Sequence, residues 1–170
     1  LVKLLSNYKE ILVTDPEHLE TLYRGFPLYM RKEGDDERLG KVQDRRIPTI
    51  SAHQGRITAW LNIKLSELAS SMSQSAFSES DMAAIKCVEQ VAEQDRLKFD
   101  FRLAPGELVI VNNMSLMHKR TAFQDGPDPA KKRLLLRLWL NLYDSPAVHP
   151  NVAGVMRGFK GSVPVITAAD

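Results

Sequence analysis

His118, Arg133 and Arg137 are the side chains of this 170-residue sequence whose types and spacing can do chemistry together. The two arginines sit in "RLLLRLWLNLY", where Leu134, Leu136, Leu138, Leu140 and Leu142 alternate with Arg133, Leu135, Arg137, Trp139 and Asn141. Successive side chains of a strand point to opposite sides, so both guanidinium groups share the face that carries Trp139. A guanidinium there is costly to bury unless it meets an anion. Its planar fork matches a carboxylate, and such a charge-assisted pair contributes about 1.5–3 kcal/mol. His118 stands fifteen positions before Arg133, across a turn spelled "FQDGPDPAKK", which puts the two on neighbouring strands that can face one cavity. A neutral imidazole suits iron, and an arginine beside it suits an acidic co-substrate that also touches the metal.

Each of these residues also has a plainer reading. A histidine that ends a strand is commonly a hydrogen-bonded structural residue. Arg133 and Arg137 can form an ion-pair network with Glu107 or Asp125, and Arg120 can pair with a nearby acid. Asn113 either fixes the loop bearing His118 through side-chain to backbone bonds or contacts substrate. Trp139 reads as core or as a substrate platform, and Phe99, Phe101 and Phe123 as core. His53, beside a turn, and His149, before Pro150, read as exposed.

The elements that must position these groups are marked by periodicity. "LVKLLSNYKEIL" places Leu1, Leu4, Leu5, Tyr8, Ile11 and Leu12 at helical spacing. Asp15 as a cap and Pro16 at a first helical position predict a second, short helix. From "FPLYMRKEGDDERLGKVQDRR" the pattern dissolves into charge and glycine, which predicts an exposed loop. "IPTISAHQGRITAWLN" predicts a hairpin about Gln54-Gly55. "SESDMAAIKCVEQVAEQD" predicts a helix that buries Ile85, Val88, Val91 and Ala92, with Cys87 packed there and inert. The period then changes: "KFDFRL" alternates, "APGE" turns, "LVIV" reads as a buried strand, and the arginine strand comes next. From Pro146 onward the tail reads as irregular coil.

Composition bounds the function. Apolar residues at 44% and charged residues at 26% are ordinary globular usage, and 170 residues suit one domain spanning 1–170. Twenty-three basic against twenty-one acidic residues leave a formal charge of +2, too balanced to imply a nucleic-acid or anionic-membrane partner. No apolar run approaches the ~18 residues of a spanning helix. A single cysteine gives no intramolecular disulfide and no cysteine zinc cage, which suits the reducing cytoplasm. The chain opens inside a helical pattern without methionine, so further sequence is expected before Leu1.

"PGELVIVNNMSLMHKRTAF" followed by "KKRLLLRLWLNL" resembles the carboxy-terminal half of the taurine dioxygenase and clavaminate synthase-like family of Fe(II)/2-oxoglutarate-dependent oxygenases. That family has a Gly-Asp/Glu-Leu turn, a strand ending in Asn-Asn, His-x-Arg-x-x-Phe, and then an arginine-bearing strand. Gly106, Glu107, Leu108, Asn112, Asn113, His118, Arg120, Phe123, Arg133 and Arg137 match it. The likeness is densest over residues 99–143, with weaker echoes in "HLETLYRGFPLYMR" and "ISAHQGRITAWLN". Lys119, where the family often has a small residue, departs from the pattern.

The resemblance implies an α+β chain: a double-stranded β-helix, or jelly roll, with flanking helices, incomplete at its amino end. It implies His118 as the distal iron ligand, Arg133 as the clamp for the distal carboxylate of 2-oxoglutarate, and Arg137 and Asn113 on the substrate side. The proximal His-x-Asp/Glu pair is missing. His18-Leu19-Glu20 has the triplet spacing, but on a helix positions i and i+2 diverge, so the true pair is expected before Leu1. The expected activity is hydroxylation of a small polar or carboxylate-bearing molecule with dioxygen as co-substrate, and homo-oligomerisation stays open. Two alternatives remain. One is a non-catalytic β-barrel module that binds an acidic metabolite through Arg133 and Arg137. The other is an interaction subunit that meets a protein partner through Leu4, Tyr8 and Ile11.

Overall fold

The computed structural model describes residues 1–30, 40–43, 45–72, 76–122, 126–128, 132, 134–138, 140 and 148–153. Its elements run β1 (Val2–Lys3), α1 (Leu4–Thr14), α2 (His18–Arg24), β2 (Tyr29–Met30), β3 (Lys41–Val42), β4 (Ile50–His53), β5 (Arg56–Ala59), α3 (Ile63–Met72), α4 (Glu79–Ala92), β6 (Leu116–Met117) and α5 (Pro150–Ala153). Three antiparallel strand pairs, β1 with β6, β2 with β3 and β4 with β5, accompany these helices.

α1 begins three residues later than the periodicity predicts, because Val2 and Lys3 pair with Met117 and Leu116. Lys3 offers no side-chain cap. The first helical N–H, that of Leu4, donates instead to the Ser115 carbonyl at 2.9 Å, so a helix start is completed by a turn far along the chain. Asp15 ends α1, where its N–H meets the Ile11 carbonyl, and does not cap α2 through its side chain. α4 is nucleated by a reciprocal box in which the Ser78 hydroxyl accepts the Asp81 N–H and the Asp81 carboxylate accepts the Ser78 N–H.

The core forms where α1, α2 and α4 meet the β4–β5 hairpin: Ile11, Leu19, Leu22, Phe26, Ile50, Ala84, Ile85, Cys87, Val88 and Val91. Ile11 is buried here with Tyr8 packed against the cluster, and Leu4 is buried too, so the proposed partner stripe on α1 is an internal face. Asn7 is also buried, and its side-chain N–H donates to the Val88 carbonyl at 3.2 Å.

The hairpin forms as the sequence predicts. Gln54 and Gly55 both have positive φ, 47° and 72°, the condition for a tight two-residue connection whose twist matches its strands. The stretch expected to be a loop from Phe26 onward is instead a narrow ribbon over its described part. Phe26 bridges Ile47, Tyr29 pairs with Val42 and Met30 with Lys41, and Leu28, Met30 and Ile47 form a second small core with Trp60 and Leu65. α3 is a helix that the periodicity does not predict; Asn62 starts it by accepting the Leu65 N–H at 3.2 Å.

The larger departure lies after α4. The "APGE" turn is present, with Gly106 at φ 86° and the Glu107 carboxylate accepting the Ala104 N–H at 2.7 Å. Of the flanking segments predicted as strands, "KFDFRL" meets β1 only through an isolated antiparallel bridge of Lys98 with Val2, the described residues of the others join no sheet, and Leu108, Ile110, Leu134, Leu136 and Leu138 are each exposed by about four-fifths. Alternation marks a segment that can join a sheet, but a ladder needs a second edge to receive its N–H and C=O groups. Phe99 and Phe101 are likewise exposed and stack on each other at 5.7 Å, outside the core. The tail includes a short helix, α5, that buries Val152.

Candidate functional site

His118 comes directly after β6. The two-residue pairing of β6 with β1 and the turn before it, residues 112–115, set the direction in which the chain delivers the imidazole. That turn is closed by Asn112, whose side-chain oxygen accepts the Met114 N–H at 3.1 Å and whose carbonyl accepts the N–H groups of Ser115 and Leu116, each at 3.1 Å. Two further bonds tie it to the rest of the molecule: Ala59 N–H to the Met114 carbonyl at 3.3 Å, and Leu4 N–H to the Ser115 carbonyl. Asn113, the asparagine that the sequence pattern favours, is half-buried within this turn.

The surroundings of His118 disfavour its charged form. Partial burial of its ring, helped by the positive charge of Arg137, holds its pKa below the ordinary histidine value. The ring is therefore neutral at neutral pH, yet its residue remains exposed to solvent. The charge of Arg137 is felt at the imidazole from across the "FQDGPDPAKK" stretch. Arg133 lies outside the described residues, as do Trp139, Phe123 and Asp125. Glu107, one of the two acids that could partner an arginine, binds the Ala104 N–H.

Lys119 pairs with Glu93 at the carboxy-terminal cap of α4, which raises the lysine pKa and lowers that of the carboxylate. The residue after His118 is thereby tied to a helix, an interaction that spacing alone does not reveal. His18 and Glu20 both lie within α2, consistent with rejecting that triplet as a strand-borne ligand pair. Among the described residues no three His, Cys, Asp or Glu side chains come together as a metal group. His118 thus fits iron in donor chemistry and charge state, while the described residues do not complete a three-ligand set. His53 and His149, expected to be exposed, are half-buried and meet edge to face at 6.2 Å, with the Nδ1 of His149 accepting the Asn151 N–H.

The model of the Taurine catabolism dioxygenase TauD, TfdA family matches residues 3–139. The chain belongs to this family, whose members are in general Fe(II)/2-oxoglutarate-dependent dioxygenases acting on small molecules with dioxygen. The family implies a jelly roll; the described residues instead show helices with three two-stranded antiparallel sheets, which do not by themselves make a double-stranded β-helix. A search of curated proteins found no match. Among the described residues no helix is long and apolar enough to cross a membrane.

Proposed function

We propose that this chain serves an Fe(II)/2-oxoglutarate-dependent dioxygenase that hydroxylates a small polar or carboxylate-bearing molecule. His118 is the distal iron ligand in this reading, Arg133 binds the distal carboxylate of 2-oxoglutarate, and Arg137 and Asn113 lie on the substrate side. What supports it is the family match over residues 3–139, joined to the His-x-Arg-x-x-Phe and arginine pattern at His118, Arg133 and Arg137. Neutral imidazole is the form that donates a lone pair to a metal. A nearby guanidinium both disfavours imidazolium and attracts a carboxylate.

When bound, iron and 2-oxoglutarate supply oxidative decarboxylation coupled to substrate hydroxylation. The chain's own part is narrower: one lone pair, one or two cationic forks, and a turn that aims the histidine. The test is succinate formation by the intact protein, the segment expected before Leu1 included, that requires Fe(II), 2-oxoglutarate and dioxygen. His118→Ala and Arg133→Ala each abolish it with the fold retained. Binding of 2-oxoglutarate that is indifferent to metal and to His118→Ala would instead identify the non-catalytic acid-binding module.

A further inference from the structure

We propose that Asn112, rather than Asn113, is the positioning residue for His118, an inference that rests on the metal-ligand reading of that histidine. β6 is two residues long and cannot by itself fix the direction of the next residue. The course of the chain into His118 is set by the turn at 112–115, in which the Met114 N–H donates to the Asn112 side-chain oxygen at 3.1 Å. The Asn112 carbonyl holds Ser115 and Leu116 at the same time, and the Ser115 hydroxyl reaches it at 3.3 Å.

This arrangement leaves the Met114 and Ser115 carbonyls facing outward, where β5 and the first residue of α1 take them through Ala59 and Leu4. Those two anchors belong to packed elements, so the turn is a rigid joint between them and the imidazole. An asparagine suits the place because its amide oxygen reaches the N–H two residues on, a closure that serine makes more weakly and alanine cannot make.

Amide hydrogen exchange and the His118 ring signals in a proton–carbon spectrum read this directly, without iron or turnover. In the native chain the Met114 amide exchanges more slowly than that of Asn113. Asn112→Ala speeds Met114 exchange by about tenfold, the loss of one hydrogen bond, and splits or broadens the His118 ring signals. Asn112→Ser restores most of both, and Asn113→Ala changes neither. Succinate formation falls about tenfold or more in Asn112→Ala and recovers in the serine variant.

Unchanged ring signals in folded Asn112→Ala overturn the proposal, as does an equal loss in Asn113→Ala. Should Asn112→Ala not fold, a native Met114 amide as labile as its neighbour overturns it. A loosened His118 ring in an intact protein, with the segment expected before Leu1 included, that makes no succinate under any condition supports the joint and refutes the oxygenase reading, so the two failures are distinct.

Discussion

Arg46 donates to a carboxylate oxygen of Asp81 at 2.5 Å, and through this contact the chain entering β4 is fastened to the first turn of α4. Arg24, at the end of α2, reaches the same oxygen at 3.3 Å, while Arg46 also donates to the Gly25 carbonyl at 2.7 Å. Asp81 is almost wholly buried, so one carboxylate serves two guanidinium groups and a helix cap in a place with little water.

Burial pushes the Asp81 carboxyl upward in pKa, but the Ser78 N–H and the charge and hydrogen bond of Arg46 outweigh it and hold the pKa below the usual aspartate value. A carboxyl depressed in the folded state stabilises it above the unfolded pKa of about 3.9, and that contribution fades as pH falls through the lower folded value. Urea unfolding of the native chain should therefore show stability falling below about pH 4. Asp81→Asn keeps an acceptor for the cap, loses the charge, and should flatten that acid limb. Asp81→Ala should cost about 2–4 kcal/mol at neutral pH, because it removes a cap and leaves Arg46 without its carboxylate.

Gly25 ends α2 at φ 76°, and a Cβ there would fall 1.8 Å from the Ile47 carbonyl oxygen, which bonds the Phe26 N–H. The obstacle is backbone in a bridged pair, so it cannot rotate aside. Gly25→Ala should cost at least about 3 kcal/mol, read as a lowered urea midpoint at unchanged slope.

Arg137→Gln removes a positive charge that lowers the His118 pKa. The ring should then titrate at higher pH, seen directly in its proton resonances. A histidine with a depressed folded pKa contributes stability above its unfolded value and loses it as pH falls below. The substitution should therefore shrink that acid-side loss. An unmoved titration curve would separate Arg137 from the imidazole in solution.

Local rules were legible where the chain's own neighbours complete them. Ser78 and Asp81 lie three residues apart and close a box with each other; Gln54 and Gly55 form a turn out of their own backbone angles. For the candidate site the sequence offers His118 and two arginines as types at a spacing, and Arg133 lies outside the described residues. The hidden features depend on partners distant in sequence. α1 starts on the carbonyl of Ser115, Arg46 finds Asp81 thirty-five residues on, and Lys119 finds Glu93. The alternation of Leu134 to Leu140 encodes an ability to pair, but identifies neither the pairing edge nor whether the segment is covered. The same blindness favours Asn113 over Asn112, because adjacent identical side chains differ only in which backbone N–H they reach.

Cys87 tests the packing of α4 from the inside. It lies among Val88, Val91 and Ile11 in the core, and burial, helped by the negative charges of Asp15 and Glu17, pushes its thiol up to about 11. Alkylation consumes the thiolate, and a pKa about two units above the reference leaves roughly a hundredfold less of it near neutral pH. Limited access slows the reaction further. Iodoacetamide should therefore modify the native chain at least about a hundred times more slowly than the urea-unfolded chain. Asn7→Ala, which removes the bond from α1 to the Val88 carbonyl, should raise the native rate by loosening the helix beside the thiol. A native rate equal to the unfolded one would mean that α4 does not bury this face in solution.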